Sequence, residues 1–219
     1  KGDYKKAIES AKKSLKLNAN HVEPYYVISY CKIMEDEISL ATLVMEGGLA
    51  RFPDNDYLHL NQALIALKKN NFQYANQLYN KILKTKKDWI PALHGLSLVY
   101  MFQEDYKAAL DLLNRISLED SSLIEVLLNM GVCLRELKQF KESESKFLEA
   151  LRLSPNNPRA IFNLGILNGD HLDNLKASLA YFDQYKQLKG NSIKPSDRVH
   201  QYSTYVREKL EYQGVENKK

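Results

Sequence analysis

The chain has 219 residues, of which 44% are hydrophobic and 26% are charged, a composition typical of folded globular proteins. Its formal net charge of +4 is smaller than we expect for a dedicated nucleic-acid-binding protein. The longest uncharged apolar stretch, 89–103, is interrupted by His94 and Gly95 and is too short to span a bilayer. Composition therefore favours neither a nucleic-acid-binding protein nor a membrane-spanning one.

Apolar residues follow a helical rather than an alternating period, and glycine and proline fall between the apolar segments. In chain order, this pattern predicts a lone helix at Asp3–Leu17 within a partial repeat at 1–21, then five helical hairpins and a final helix. The five predicted hairpins are 22–55, 56–89, 90–123, 124–157 and 158–191. The final helix, from about Pro195 to Glu211, lies in a capping segment at 192–212, and residues 213–219 are expected to be disordered. Since no stretch shows the period-two pattern of a strand, the predicted class is all-α.

The predicted hairpins repeat one unit of 34 residues. If Ile124 is position 1, then Gly131 is at position 8, Ser143 at position 20 and Phe147 at position 24. The other small residues in phase with these at position 8 are Ser29, Ala63, Ser97 and Gly165, and at position 20 they are Ala7, Ala41, Ala75, Ala109 and Ala177. Larger residues at position 24 are Met45, Tyr79, Leu113 and Tyr181. The same phase runs from Gly2 to the fifth hairpin, so we expect no insertion in the array.

A helix–turn–helix unit of 34 residues, small at positions 8 and 20 and larger at 11, 17 and 24, resembles the tetratricopeptide repeat. The resemblance covers almost the whole chain. It implies a right-handed α–α superhelix, a solenoid in which neighbouring units complete each other's core and a C-terminal helix caps the end. Within the fifth unit, residues 168–171 are expected to end the first helix early.

The sequence contains no local set of nucleophile and base and no glycine-rich phosphate loop. The five histidines follow no metal-ligand spacing. The densest polar cluster, 170–173, is compatible with a metal ion but is more typical of a solvated turn. We therefore predict no catalytic, cofactor-binding or metal site, and a protein that is not an enzyme.

The resemblance implies that the first helix of each unit lines a concave, largely apolar groove for a partner peptide or helix. Transferred to this sequence, the groove residues are Tyr26, Tyr30, Tyr57, Asn61, Leu64, His94, Leu98, Phe102, Leu128, Asn129, Val132, Arg135, Arg159, Phe162, Asn163 and Ile166. Asparagine occupies position 6 in three units (Asn61, Asn129 and Asn163). Its amide can hold the backbone of an extended peptide or bond to a neighbouring helix, and both interpretations stay open.

The expected function is that of a non-catalytic scaffold that binds a protein or peptide partner within a multiprotein assembly, such as a bacterial pilus, motility or secretion machine. Alternatives are an RNA-associated helical repeat protein, although nucleic acid is not an expected partner, and a regulatory domain of a larger enzyme. Self-association through the open N-terminal end, and a groove filled by a preceding segment of the same protein, also stay open.

The compartment is only weakly indicated. Cys31 and Cys133 lie three units apart, beyond the reach of a disulfide, and free thiols slightly favour the cytoplasm. The chain starts at Lys1 rather than Met, so we expect the native protein to begin earlier, and a periplasmic or lipoprotein-anchored location stays open.

Overall fold

The computed structural model of the protein describes residues 3–120, 122–194 and 196–216, with side chains up to residue 213. This part of the chain forms twelve α-helices, one short 3-10 helix and no strand, which confirms the predicted all-helical class. The chain divides into two compact units, residues 1–105 and 106–219. None of the described helices is both long and apolar enough to cross a membrane.

Unit 1 contains six helices, and each packs against the next one along the chain. They are α1 (Tyr4–Leu17), α2 (Glu23–Met34), α3 (Ile38–Leu49), α4 (Asp56–Lys68), α5 (Phe72–Thr85) and α6 (Ile90–Phe102). The alternate helices α2, α4 and α6 also contact one another in sequence. This gives two layers of helices, and the candidate groove residues of unit 1 belong to the layer of α2, α4 and α6.

Unit 2 follows the same plan. Its helices are α7 (Tyr106–Glu119), α8 (Ile124–Glu136), α9 (Phe140–Leu153), α10 (Pro158–Asp170), α11 (Leu175–Lys189) and α12 (Arg198–Glu216), with the 3-10 helix at Gly190–Ser192. Again each helix packs against the next, and α8, α10 and α12 contact one another in sequence.

Short turns with one left-handed residue join the two helices of a hairpin. In three-residue turns, the middle residue has a positive φ: 63° at Asp36, 58° at Asn70, 61° at Glu104 and 61° at Lys138. Each of these residues stands 34 positions after the one before it (70 − 36 = 34). The turn therefore keeps the phase that the sequence pattern predicts.

The fifth hairpin breaks this phase, so the prediction of an array without insertions is wrong there. Four residues, 171–174, separate α10 from α11, and the positive φ of 52° falls on Asp173. Ser143 Oγ donates to Gly131 O at 2.7 Å, and the equivalent bond in the fifth hairpin is Ser178 Oγ to Gly165 O, also 2.7 Å. Because the extra residue lies in the turn, the inward positions of α11 fall one residue later in the sequence than predicted. Ser178 and Phe182 are buried, whereas the predicted Ala177 and Tyr181 are only half-buried.

The end of α10 also differs from expectation, because the helix does not stop early. It has 13 residues, as many as α8. Asn168 is buried and its Nδ2 donates to Leu164 O at 3.0 Å, as a helical residue would. A Cβ atom on Gly169 would lie 3.0 Å from Val206 Cγ2, so this glycine allows α12 to pack closely.

The final helix is longer than predicted. It continues to Glu216, so residues 213–216 of the predicted disordered tail are helical, while Pro195 and residues 217–219 lie outside the described part of the chain. Side chains of α12 bond to the end of α10 and the turn that comes after it. Lys209 Nζ donates to Gly169 O at 3.1 Å, and Gln213 Nε2 donates to Asp173 Oδ1 at 3.5 Å. These bonds extend the helix beyond its apolar stripe.

Candidate functional site

Three aromatic rings form a row on unit 1. Tyr26 and Tyr57 stack with their centroids 4.8 Å apart, and Tyr57 meets Trp89 edge-on at 5.0 Å. Lys86 Nζ lies 4.7 Å from the centroid of Trp89 and 5.7 Å from that of Tyr57, and it is paired with Asp56 at 2.9 Å. Lys86 and Trp89, which precede α6, were not among the predicted site residues. Their proximity to a groove tyrosine was not visible from helical periodicity alone.

A cavity of about 420 Å³ adjoins this row, between α1, α2 and α4. Four tyrosines line it: Tyr4, Tyr26, Tyr30 and Tyr57. Tyr30 is 45% exposed, and Asp3 is the charged residue among the described ones that line the cavity. The cavity is therefore mainly apolar, with phenol groups among its polar atoms, and we call these four tyrosines and Trp89 the aromatic surface.

The phenols of Tyr26 and Tyr30 remain protonated at neutral pH. Burial raises the pKa of Tyr26, and the charge of Glu23 and the neighbouring Tyr57 raise it further. Burial is also the main cause that raises the pKa of Tyr30. A protonated phenol can donate a hydrogen bond as well as accept one, so both groups suit a polar atom on a partner.

The other predicted groove residues of unit 1 are less accessible. Leu64, His94 and Leu98 are half-buried, and Phe102 is exposed but stacks on Phe72 at 5.6 Å. Asn61 is buried, and its Nδ2 donates to two atoms of α2: the carbonyl oxygen of Tyr26 at 2.8 Å and Ser29 Oγ at 2.7 Å. Its amide hydrogens thus join two helices, which favours the second of the two interpretations of this asparagine.

In unit 2 the polar groove residues bond to one another across α8 and α10. Arg135 donates to Asn163 Oδ1 at 3.0 Å, and Arg159 donates to Asn129 Oδ1 at 3.3 Å. Arg159 also pairs with Glu125. The two asparagines and two arginines therefore brace neighbouring helices and are already engaged within the fold.

The apolar groove residues of unit 2 are largely covered. Leu128 is fully buried in the core, so its predicted place on the groove surface is wrong. Phe162 and Ile166 pack with the buried residues Val199 and Val206 of α12, and Val132 is half-buried against the core. Position in the repeat identified the helix but not how deeply its neighbours cover each side chain.

The groups with the strongest potential for chemistry are shielded or used in structure. Cys31 and Cys133 are both buried free thiols, and burial raises the pKa of Cys133 to about 12. In the polar cluster 170–173, His171 stacks on Phe140 with centroids 4.4 Å apart. The described residues include no group of three or more His, Cys, Asp or Glu side chains arranged to hold a metal ion.

Comparisons with known proteins agree with this architecture. Family models described as tetratricopeptide repeat match residues 124–157 and residues 1–21. The Drosophila melanogaster protein O-mannosyl-transferase Tmtc3 is 23% identical over 114 residues, which cover 52% of this chain. The chain spans only 12% of that relative's length, and 11% and 30% of two further curated relatives.

Solved structures show the same fold. The crystal structure of YrrB, described as a tetratricopeptide-repeat protein with an unusual peptide-binding site, is 18% identical. The alignment covers 92% of this chain and 100% of the YrrB chain, with a TM-score of 0.62. The Cut9–Hcn1 hetero-tetramer of the APC/C is 13% identical and covers 93% of this chain and 39% of the other, with a TM-score of 0.82. Segments 1–21 and 124–157 therefore match the tetratricopeptide repeat family, and the consecutive packing of the helical hairpins gives the described chain the fold of tetratricopeptide-repeat structures.

Proposed function

We propose that this chain is a non-catalytic protein-interaction scaffold that binds a peptide or helix of a partner on the aromatic surface of unit 1. The observation that carries the proposal is the pairing of exposed tyrosines with an apolar cavity of about 420 Å³. Tyrosine is enriched where proteins meet, because its ring buries a large apolar area while its hydroxyl stays hydrogen-bonded. The proposal does not extend to Asn129 and Asn163, whose amides bond to arginines of neighbouring helices.

Two similarities support this assignment. The YrrB structure is described as having a peptide-binding site, and Cut9 was solved in a complex with Hcn1. A scaffold in a multiprotein assembly is the simplest role for a chain whose described residues offer a binding surface and no metal cluster. We therefore assign the function to recognition rather than to chemistry.

The test is to select ligands from a random peptide display library on the purified protein and then titrate the enriched peptides against variants. Tyr30→Ala should weaken binding at least about tenfold, because central aromatic residues of an interface often contribute about 1.4 kcal/mol or more. Tyr74→Ala is the matched control, since Tyr74 is 41% exposed but lies on α5, away from the lining of the cavity. Selected peptides that bind the Tyr30 variant as well as the parent would place recognition elsewhere.

A further inference from the structure

The outward face of α3 in unit 1 is apolar. Leu43 is 67% exposed and Leu40 is 41% exposed. Val44 is half-buried and Gly47 is exposed, and at about 100° per residue all four residues lie on one side of the helix. We call these four residues the α3 stripe. Single exposed leucines are ordinary, but a contiguous apolar strip on a helix indicates a contact surface.

The equivalent positions of α1, α5, α7 and α9 are polar or charged. Steps of 34 residues from Gly47 lead to four charged residues: Lys13, Lys81, Arg115 and Glu149. The same steps from Leu43 lead to four polar or charged residues: Glu9, Gln77, Asp111 and Ser145. The outward face of a helix in this phase is therefore suited to water, and α3 departs from that pattern at both positions.

The α3 stripe is not a position that another hairpin of the array would fill. Within unit 1, α3 packs against α2 and α4, just as α5 packs against α4 and α6. The helix α3 therefore already has both neighbours that the array provides. Its buried residues Ala41, Met45 and Gly48 lie roughly 120° around the helix from the stripe. The stripe thus faces away from the array, and its occupant has to come from outside it.

The stripe is complementary in shape to a second, antiparallel copy of itself. If the two-fold axis lies midway between Leu43 and Val44, Leu40 of one copy stands level with Gly47 of the other (43.5 − 40 = 47 − 43.5). A Cβ atom on Gly47 would meet nothing within 4 Å, so the space above this glycine can receive the leucine. Leu43 of each copy lies beside the axis and faces its own counterpart. The same surface therefore supplies both the protruding side chain and the space that accepts it.

Charges at the two ends of α3 match in the same arrangement. Asp36 precedes the helix and Arg51 follows it, and the antiparallel pair brings Arg51 of each copy level with Asp36 of the other (43.5 − 36 = 51 − 43.5). The side chain of Asp36 is 81% exposed although it lies 3.6 Å from Lys68, and Arg51 takes part in none of the ion pairs of the described residues. Glu46, the single charged residue of α3, lies about 120° around the helix from Leu40 and outside the stripe. A parallel pair would bring like charges together, so charge favours the antiparallel one.

We propose that two copies of this chain associate through an antiparallel α3–α3 contact, with Leu43 at the two-fold axis and Leu40 of each copy over Gly47 of the other. A helix of 12 residues offers a face of about 18 Å by 10 Å, well below the roughly 800 Å² that each partner buries in a standard interface. The dimer should therefore be weak, with a dissociation constant of roughly 10–100 µM. The contact does not depend on the function proposed for the aromatic surface, and a dimer carries two copies of that surface.

Sedimentation velocity of the whole chain, at concentrations from about 5 to about 500 µM, measures the association. The weight-average sedimentation coefficient of the parent should rise across this range. Leu43→Lys should weaken dimerisation at least about tenfold, because it places two like charges beside the axis. Leu43 is mostly exposed, so the variant should melt like the parent. Gln77→Lys is the matched control, because Gln77 is exposed at the equivalent position of α5 (77 − 43 = 34), and it should leave dimerisation unchanged.

A mixture of two charge variants tests whether Leu43 faces its own counterpart. Leu43→Glu alone should weaken dimerisation as Leu43→Lys does. An equimolar mixture of the two variants should associate at least about tenfold more tightly than either alone, because opposite charges then meet across the axis. Contact between α3 and a different surface of the second copy would give no such recovery, so the mixture identifies the symmetric pair.

Four results would overturn the proposal. A parent chain that stays monomeric at about 500 µM would show that the α3 stripe does not bind a second copy. Dimerisation that Leu43→Lys leaves unchanged would place the contact elsewhere, and a mixture of the two charge variants that associates no better than either alone would exclude the symmetric pair. If the longest natural form of the polypeptide stays monomeric where these 219 residues dimerise, a segment of the same polypeptide covers the stripe.

Discussion

At the scale of single residues, helical glycines differ in whether the space around them would admit a side chain. A Cβ atom on Gly131 would lie 2.5 Å from Phe147 Cε1, whereas one on Gly47 would meet nothing within 4 Å. Gly131→Ala should therefore lower the free energy of unfolding by about 1–3 kcal/mol through overpacking. Gly47→Ala should raise it by roughly 0.5–1 kcal/mol, because alanine loses less entropy in a helix. Urea denaturation of the two variants measures both values, and equal effects would contradict the packing at Gly131.

The turn residues with positive φ give a second test. Lys138 has a φ of 61°, which costs a residue with a side chain roughly 1 kcal/mol relative to glycine. Lys138→Gly removes this cost but also makes the unfolded chain more flexible. The net stabilisation of the protein should therefore be no more than about 0.5–1 kcal/mol. The control is Ser145→Gly in the exposed middle of α9, which should destabilise by roughly 0.5 kcal/mol. Denaturant midpoints that fall for both variants would argue against the left-handed turn.

The environment of a residue was predictable from sequence where one interaction determines it. Gly131 and Ser143 stand at the small positions of the repeat, and the structure places them at a close helix crossing against Phe147, where only small residues fit. Asn61 and Leu128 were harder to interpret, since their exposure depends on the side chains that a neighbouring helix presents. A repeat position indicates which side of its helix a residue faces. Its burial depends also on the side chains of the neighbouring helix.

At the scale of elements, the contact between α12 and the fifth hairpin depends on a few apolar side chains. Val206 is buried with Phe182 and Val199, whereas Tyr205 on the same helix is 50% exposed. Val206→Ala should cost about 2 kcal/mol by leaving a cavity. Tyr205→Ala should change stability by no more than about 0.5 kcal/mol. Hydrogen exchange should quicken in α11 and α12 for the first variant alone, and an unchanged rate there would show that α12 is not anchored by Val206.

The elements themselves were largely predictable from sequence, because helical periodicity and turn residues act locally. The lone helix was expected at Asp3–Leu17 and forms at Tyr4–Leu17. The extra residue between α10 and α11 was not foreseen, since Ala177 and Tyr181 satisfy the repeat pattern as well as Ser178 and Phe182 do. When two adjacent residues both have a suitable size, the sequence does not show which of them faces inward. The packing of the neighbouring helix decides it.

At the scale of the whole molecule, the two buried thiols allow the two units to be followed separately. Cys31 belongs to unit 1 and Cys133 to unit 2, and burial raises the pKa of both. Since the thiolate is the reactive form, both should label slowly at about pH 8 in the native state and quickly once exposed. Because contacts are local along a repeat array, we expect Cys31 and Cys133 to become reactive at different urea concentrations. Mass spectrometry of labelled peptides measures each site, and a shared midpoint would indicate one cooperative unit.

The inserted residue between α10 and α11 also limits how the chain can be rearranged. Hairpins 56–89 and 124–157 both carry the three-residue turn with a left-handed centre at Asn70 and Lys138. An exchange between them that is counted in steps of 34 keeps the turn and the inward residues in place. An exchange of α9 for α11 has to be aligned on Ser143 and Ser178, which are 35 residues apart (178 − 143 = 35), because a step of 34 would shift the inward residues by one position, about 100° around the helix. Chimeras of this chain should therefore be designed by matching the serine-to-glycine bond of each hairpin and not by counting residues.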